Sequence, residues 1–344
     1  MLRPVKRATR GHACRSDASS LPWLTPPQAL PSLRESSRRL AMALRTLLFL
    51  ATNLAVVGTI SLLLRLGVAA GWLPPDLPLG PLLIGSFFWG AAGSWISLQG
   101  SRAAAKQAMG VQLLDGREGP EAQWLVQTVS SLAGRASLPM PEVGVYTSPE
   151  WNAFATGPSP DRALVAVSSG LLAGMPPAEL EAVLAHEMSH VGNGDMVTMA
   201  LLQGVINAFV MFLARAIALL LPRRSDDDGR QPPPLTALIW PLEVVLGLAG
   251  SLVTAWFSRH REFRADAGSA RLTGGPEAMV QALERLGATQ HLLDRRDPPA
   301  LAPFKIAGPA GLLGLFATHP PLERRIAALR QAGLAQRPQE AAAT

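Results

Sequence analysis

Charged residues are scarce in this chain of 344 residues. Only 16% of the residues are charged, whereas 48% are hydrophobic and the mean hydropathy is +0.21. Soluble globular domains carry about 25% charged residues. The composition therefore excludes a chain built only of soluble domains, and it predicts that part of the protein lies in a lipid bilayer.

Cysteine is nearly absent as well. The only one, Cys14, excludes an intrachain disulfide and a cysteine-based metal cluster, so any metal site must use histidine and carboxylate ligands. The net charge is +6, but the arginines cluster beside hydrophobic segments and aromatic residues do not alternate with them. This pattern indicates charges that flank membrane spans, and we expect no nucleic-acid partner.

Residues 1–41 are rich in Arg, Pro and Ser and show no apolar periodicity, which predicts a disordered leader. A cleavable signal peptide fits poorly, because the apolar run begins only after residue 45 and is too long for one. Translation that starts at Met42 is the alternative, because it would place a basic residue just before a hydrophobic helix.

Four apolar segments predict about four transmembrane helices. Two of them contain nineteen uncharged residues, which span roughly 30 Å at about 1.5 Å per residue. Nine Lys and Arg residues in 1–45 place the N-terminus in the cytoplasm. The last two segments cross the bilayer or re-enter it, because their connector holds both Arg and Asp and the fourth is interrupted by Pro241 and Glu243. The segments are Thr46–Leu64, Leu77–Ser101, Met196–Ala214 and Leu235–Phe257.

The remaining sequence predicts a mixed domain of helices and short strands. The tandem Pro176 and Pro177, followed by Glu179, predict the start of a helix. After Phe257 we expect a helical region to about Asp294 and a proline-rich loop through Pro309. The other predicted elements are helices Arg102–Met109, Gln123–Ala136 and Leu322–Ala332, and strands Glu142–Tyr146 and Leu164–Val167, with a turn-rich segment Ser148–Asp161 between the strands.

The helix that starts at Pro177 carries the sequence HEMSH. His186 and His190 are one turn apart on one helix face, so both imidazoles can bind one zinc ion, with Glu187 beside them as the general base. Zinc lowers the pKa of its bound water toward about 7. The alternative is a pair of surface histidines on an amphipathic helix, since short motifs carry false positives.

Two histidines leave the protein one ligand short. His190 lies just before the third apolar segment and Glu262 just after the fourth, so a membrane hairpin would bring Glu262 beside the histidines. Asp266 lies one helical turn after Glu262 and can accept the remaining ring N–H of a ligand histidine. Alternatively, this segment is a solvated charged face with ion pairs along the helix.

These residues resemble the HtpX family of bacterial membrane metallopeptidases, distant kin of the CAAX prenyl proteases. The matching strings are AHEMSHVGNGDMVTM (185–199), SRHREFRADAGSARL (258–272), NAFATG (152–157) and THPPLERRIAAL (318–329). The resemblance runs from about Met42 to Leu329. It implies one zinc ion per chain, held by His186, His190 and Glu262, with Glu187 as base.

The resemblance also implies roles for residues that spacing alone does not single out. Asn152 would contact the substrate backbone, and His319 would steady the oxyanion. The matching acidic residue and arginine are Asp266 and Arg325. Without the resemblance, Asn152 is a turn residue and His319 begins a His-Pro-Pro turn before a helix.

The resulting prediction is a mainly α membrane protein with about four transmembrane helices and an α+β zincin-like (gluzincin) catalytic domain that carries a small β-sheet. The site would face the cytoplasm from the bacterial inner membrane and act on misfolded or damaged membrane proteins. The predicted divisions are the leader 1–41, two spans in 42–101, a first catalytic part 102–195, a hairpin 196–257, a second catalytic part 258–333 and a tail 334–344.

Two other interpretations compete with this one. Intramembrane site-2-type proteases also use HExxH and complete the site with an aspartate in an LDG-like motif, which Leu114, Asp115 and Gly116 spell here. In that class the motif helix lies within a span and the aspartate follows it, whereas here the LDG sequence comes first. A membrane scaffold with a structural metal predicts a closed site with four protein ligands, and the sequence offers three.

Overall fold

The computed structural model describes residues 78–221, 234–289 and 319–341, together with scattered positions between 47 and 76. Apart from Leu47, these residues belong to one compact unit, Phe49–Thr344. The predicted leader, nearly all of the first predicted span, the connector after Leu221 and the proline-rich loop lie outside the described residues.

Among the described residues between 78 and 341 there are eight α-helices, one four-stranded sheet and a short 3-10 turn (Pro160–Arg162). The helices are α1 (Leu79–Met109), α2 (Pro120–Ala136), α3 (Ser169–Gly174), α4 (Pro177–Asn193), α5 (Asp195–Leu220), α6 (Leu235–Thr273), α7 (Glu277–Ala288) and α8 (Leu322–Ala341). The strands are β1 (Gln112–Leu113), β2 (Glu142–Tyr146), β3 (Ala153–Thr156) and β4 (Leu164–Ser168).

Three of these helices, α1, α5 and α6, are long and apolar enough to cross a membrane. Large apolar side chains project outward from them, among them Trp89 at 73% exposure and Trp240 at 70%, as expected for helices that face lipid. Three of the four predicted spans therefore coincide with such helices. The second predicted span and the predicted helix Arg102–Met109 form one continuous helix, α1.

Small residues bring α1 and α5 into close contact. Gly90 of α1 lies against the backbone of Gly204 and Ala208, and a Cβ at Gly90 would lie only 2.7 Å from the Ala208 amide nitrogen. Ser94, one turn further along α1, packs against Gly204. Such stripes of small residues let membrane helices approach through their backbones, because larger side chains would hold the helices apart.

The sheet has the strand order β1-β2-β4-β3, with β2 and β4 parallel and both outer strands antiparallel to their neighbours. The structure confirms strand Glu142–Tyr146 and extends Leu164–Val167 by one residue. All of β4 is buried, because helices cover both faces of the sheet. Side chains from α2, α4, α7 and α8 form the main core on one face, and Ala105 and Met109 of α1 pack on the other.

Two features differ from the sequence-based prediction. The segment Ser148–Asp161 contains β3 in addition to turns, and β1 was not foreseen; both strands are too short for a period-two pattern to stand out. The fourth predicted span is the first part of α6, which continues through Pro241 to Thr273 without a break. Residues 258–273 therefore continue the same helix as the apolar part of α6.

Candidate metal centre

Helix α4 is buried along most of its length and carries the two histidines in its second half, His190 in the last turn. Pro177 occupies its first turn, as the sequence predicts, because the fixed φ of proline suits that position. His186 and His190 lie one turn apart, their rings are edge-to-face, and their Nε2 atoms are 3.1 Å apart. Both side chains are buried.

The fully buried Glu262 lies on α6 against both histidines. Its Oε2 is 3.4 Å from His186 Nε2, and its Oε1 is 3.3 Å from His190 Nε2. One ligand atom from each residue falls within 4.8 Å of the others, so the three can hold one metal ion. Glu262 comes this close because α6 packs along α4 and runs on from its apolar part as the same helix.

The other ring nitrogens of the histidines contact carboxylates. His186 Nδ1 lies 2.9 Å from Asp266 Oδ1, and His190 Nδ1 lies 2.8 Å from Asp195 Oδ2. An ionised carboxylate only accepts, so both Nδ1 atoms donate, and in the neutral imidazoles both Nε2 atoms present lone pairs. His186 Nδ1 is also 3.4 Å from Arg325 Nη2, but both groups donate, and this contact arises because they share the Asp266 carboxylate.

This donor set fits a zinc ion. Two imidazole lone pairs face each other at 3.1 Å, an arrangement that is repulsive without a cation or proton between them. Glu262 Oε1 is buried and accepts no hydrogen bond from any described residue. Two imidazoles and one carboxylate, each imidazole oriented by a second carboxylate, are a ligand set that zinc takes in catalytic sites.

Acidic groups dominate the electrostatics of the cluster. Burial opposes the protonation of His190, but the carboxylates of Glu262 and Asp195 outweigh it and raise the pKa of His190 to about 9. The same negative charges that hold a proton on this ring would favour a divalent cation, because metal and proton compete for the same nitrogen.

Arg325 neutralises part of this charge. It is fully buried on α8, and its Nε and Nη2 donate to the two oxygens of Asp266 at 2.9 and 2.6 Å. Burial disfavours its charge, yet Asp266 and then Glu262 raise the pKa of Arg325 overall. A two-point contact of this kind fixes the Asp266 carboxylate in both position and orientation.

His319 lies just before α8 and contacts Glu262. Its Nδ1 is 2.6 Å from Glu262 Oε2, whereas its buried Nε2 has no hydrogen-bond partner among the described residues. The structure thus brings His319 to the ligand cluster, as the resemblance implies. Glu187 is buried beside the histidines, and its carboxylate forms no hydrogen bond or ion pair in the described part of the chain.

Asn152 precedes β3, and its backbone pairs with Ser168 of β4. Its side chain is 5% exposed, and Oδ1 has no hydrogen-bond partner within the described ranges. No described contact joins Asn152 to the three ligands, although β3 packs against α4. Its role in substrate binding stays a prediction.

Asp115 of the LDG sequence is not near this cluster. Its side chain is 62% exposed and faces Arg117 in a turn stabilised by Glu118. The site-2-type interpretation, which needs this aspartate as a ligand, is therefore wrong. Among the described residues the cluster has three members, which also disfavours a closed structural site with four ligands.

Asp195 and Arg264 belong to the site but were not predicted. Asp195 is 1% exposed and bridges His190 to Arg264, whose Nη2 donates to Asp195 Oδ1 at 3.0 Å. The only sequence signal is Gly194, a residue typical of helix ends, immediately before an acidic residue. Gly194 ends α4, so the position of Asp195 does not follow from the helical spacing of His186 and His190.

Several known proteins are similar to this chain in sequence, and one solved structure is similar to it in fold. The chain is 51% identical over 292 residues to a Protease HtpX homolog of Thiobacillus denitrificans (strain ATCC 25259 / T1), a match that covers 83% of this chain and 98% of that protein. It is 48% identical over 293 residues to Protease HtpX of Pasteurella multocida (strain Pm70), covering 84% and 98%. The solved structure of S. mikatae Ste24p has a similar fold at 20% identity, with a TM-score of 0.50 over 84% of this chain and 66% of that one.

The sequence model of peptidase family M48 matches residues 120–332, from the start of α2 to within α8. The matched range contains all three members of the His-His-Glu cluster and the helices that hold them. With this match over more than half of its length, the chain belongs to peptidase family M48 and is a metalloprotease.

Proposed function

We propose that this protein is a zinc-dependent endopeptidase of the bacterial inner membrane that cleaves misfolded or damaged membrane proteins. One observation carries the proposal: the three buried ligand residues each present an atom to one point, while Glu187 lies beside them without a hydrogen-bond partner in the described part of the chain. A base must keep its carboxylate available for the reacting proton.

When bound, zinc would supply a Lewis acid that polarises a peptide carbonyl and acidifies water. Glu187 takes the proton from the attacking water on its carboxylate and later delivers it to the nitrogen of the leaving amine. Asp266 accepts the Nδ1 proton of His186, which keeps the Nε2 lone pair of that ring directed at the metal.

We assign His319 to the developing oxyanion. Its contact with Glu262 Oε2 fixes the ring, and its Nε2 is buried and has no partner among the described residues. Because Nδ1 donates to Glu262, Nε2 carries an N–H only in the protonated ring, and that N–H directed at the carbonyl oxygen would stabilise the charge that forms there. Asn152 is proposed to bind the substrate backbone, and Arg325 acts only through Asp266.

The position of the site favours membrane-protein substrates. Glu262 follows the last apolar residue of the fourth predicted span, Phe257, by five residues on one helix, a rise of about 7.5 Å. His190 precedes the first residue of α5, Asp195, by a similar distance in sequence. The scissile bond must therefore come close to the bilayer surface, which membrane proteins do most readily. The basic N-terminal region supports a cytoplasmic position for this surface.

The test compares the wild type with Glu187→Gln, each purified in detergent. We expect one zinc ion per chain in both proteins and cleavage of casein by the wild type only, because the amide cannot accept the water proton. A Glu187→Gln variant that binds zinc and still cleaves casein at the wild-type rate would contradict the mechanism. Absence of zinc from the active wild type would contradict the choice of metal.

Trapping addresses the substrates. Glu187→Gln should retain bound substrates when expressed in cells, because it binds peptides but does not cleave them. The control is His186→Ala, which lacks one metal ligand. We expect Glu187→Gln to capture more membrane proteins than this control does. Enrichment of soluble proteins alone would contradict the proposed substrate class.

A further inference from the structure

Each ligand histidine is held by its own carboxylate, and each carboxylate by its own arginine. On His186 these partners are Asp266 and Arg325, the acidic residue and the arginine that the resemblance singles out. On His190 they are Asp195 and Arg264, with Asp195 Oδ2 at 2.8 Å from His190 Nδ1 and Asp195 Oδ1 at 3.0 Å from Arg264 Nη2. The second arrangement repeats the first with residues to which no role has been assigned.

The chain reaches this geometry by breaking a helix. Gly194 has a φ of +67° and ends α4, and α5 begins at Asp195. On one continuous helix, a residue five positions after His190 would lie about 140° around the axis and face away from it. The left-handed conformation of Gly194 instead turns the backbone, so that Asp195 faces back to the His190 ring.

We propose that Asp195 is a positioning residue for the metal ligand His190 and that Arg264 holds Asp195 in place. The hydrogen bond from Nδ1 would fix both the tautomer and the orientation of the ring, so that Nε2 is the atom offered to the metal. This inference rests on the proposed zinc site.

The link also joins the metal centre to the membrane helices. Asp195 is the first residue of α5, and Arg264 lies on α6 two residues after the ligand Glu262. The hydrogen bond between them therefore links the start of α5 to α6. A change in the packing of α5 against α6 would move the acceptor that orients His190.

A simpler role for Asp195 is available, and it makes a different prediction. An acidic residue in the first turn stabilises a helix through the helix dipole, and Asp195 occupies that position in α5. In that case its removal would lower thermal stability without an effect on zinc. Zinc affinity and the coordination geometry of the metal therefore separate the two roles.

The experiment measures zinc dissociation constants of the full chain in detergent, by competition with a chromophoric chelator. We expect Asp195→Ala to weaken zinc binding about 10- to 100-fold, in the range known for partners of ligand histidines. Asp195→Asn keeps an acceptor for Nδ1 and should recover most of the affinity. The visible spectrum of the cobalt-substituted protein should change in Asp195→Ala and resemble the wild type in Asp195→Asn.

The matched control is Glu179→Gln. Glu179 lies on the same helix as His190, is 4% exposed, and accepts two bonds from Arg285 at 2.6 and 2.9 Å. It contacts no ligand in the described structure. Its replacement should lower the melting temperature and leave the zinc dissociation constant and the cobalt spectrum unchanged.

The outcomes distinguish this inference from the proposed function. A wild type that binds no zinc overturns the proposed function. If the wild type and Glu179→Gln bind zinc and Asp195→Ala matches them in affinity and cobalt spectrum, only the role of Asp195 is overturned. If Asp195→Ala does not fold, Arg264→Gln decides: weaker zinc binding supports the link, and wild-type binding overturns it.

Discussion

Replacement of Arg325 by methionine should destabilise this protein far more than the same change at Arg330 on the same helix. Arg325 is completely buried and binds both oxygens of Asp266. Methionine fills a similar volume but removes the cation beside the buried Asp266 carboxylate, which then accepts only from His186 Nδ1. Removal of one member of a buried ion pair costs about 3–5 kcal/mol, because the remaining charge stays out of water.

Arg330 provides the matched comparison. Its side chain is 60% exposed and forms an ion pair with the exposed Glu284. Exposed pairs contribute at most about 1 kcal/mol, because water screens both charges and the side chains lose entropy. Each substitution therefore replaces an arginine and removes one ion pair, and the two differ in whether that ion pair is buried or exposed.

The assay is thermal unfolding of the full chain in detergent, after metal removal so that zinc binding does not mask the difference. At about 2–4 °C per kcal/mol for a domain of some 200 residues, Arg325→Met should lower the melting temperature by roughly 6–20 °C. Arg330→Met should lower it by less than about 4 °C. Equal, small shifts in the two variants would refute the assignment of Arg325 to a buried ion pair.

Three further predictions concern the metal and the membrane helices. Glu262→Ala should lose zinc, whereas Asp266→Ala should weaken zinc binding about 10- to 100-fold; full zinc occupancy in Glu262→Ala would remove it from the ligand set. Gly90→Ala should cost about 1–3 kcal/mol of stability, because the new Cβ would lie 2.7 Å from a backbone nitrogen. Gly93→Ala should cost none, because its Cβ would meet nothing within 4 Å. Similar melting temperatures for the two variants would contradict the close packing of α1 on α5. Cysteines placed in the connector 222–234 should react with an impermeant reagent from the periplasmic side if α5 and α6 cross the bilayer, and labelling only from the cytoplasmic side would show that they re-enter.

The sequence predicted the parts of the site that depend on spacing within one helix. His186 and His190 are four positions apart, as are Glu262 and Asp266, and a regular helix places such pairs on one face. The structure shows these pairs buried and facing one another across α4 and α6. The alternative for the second pair, a solvated charged face, is wrong because Glu262 is 0% exposed and Asp266 2%.

Arg264 shows where prediction from spacing fails. Within its own helix it has acidic neighbours on both sides, Glu262 and Asp266, yet it donates to Asp195, 69 positions earlier in the chain. Neighbours two residues away project from different sides of a helix, so they do not satisfy it. Its partner depends on how α6 packs against the start of α5, and no local pattern encodes that packing.

The contact of Asp195 with His190 was not predicted for a related reason. The position of Asp195 depends on the break between two helices, which has no periodic pattern in the sequence. Gly194 in its left-handed conformation separates α4 from α5, and two helices that a sequence pattern treats independently therefore meet at one histidine.

Pro241 had the opposite effect on the prediction. It suggested an interruption, but α6 passes through it, because at the seventh residue of the helix its missing N–H removes a single hydrogen bond near the end. As a result Glu262 lies on the helix that continues the apolar part of α6, and its orientation toward the histidines is set by how α6 packs against α4.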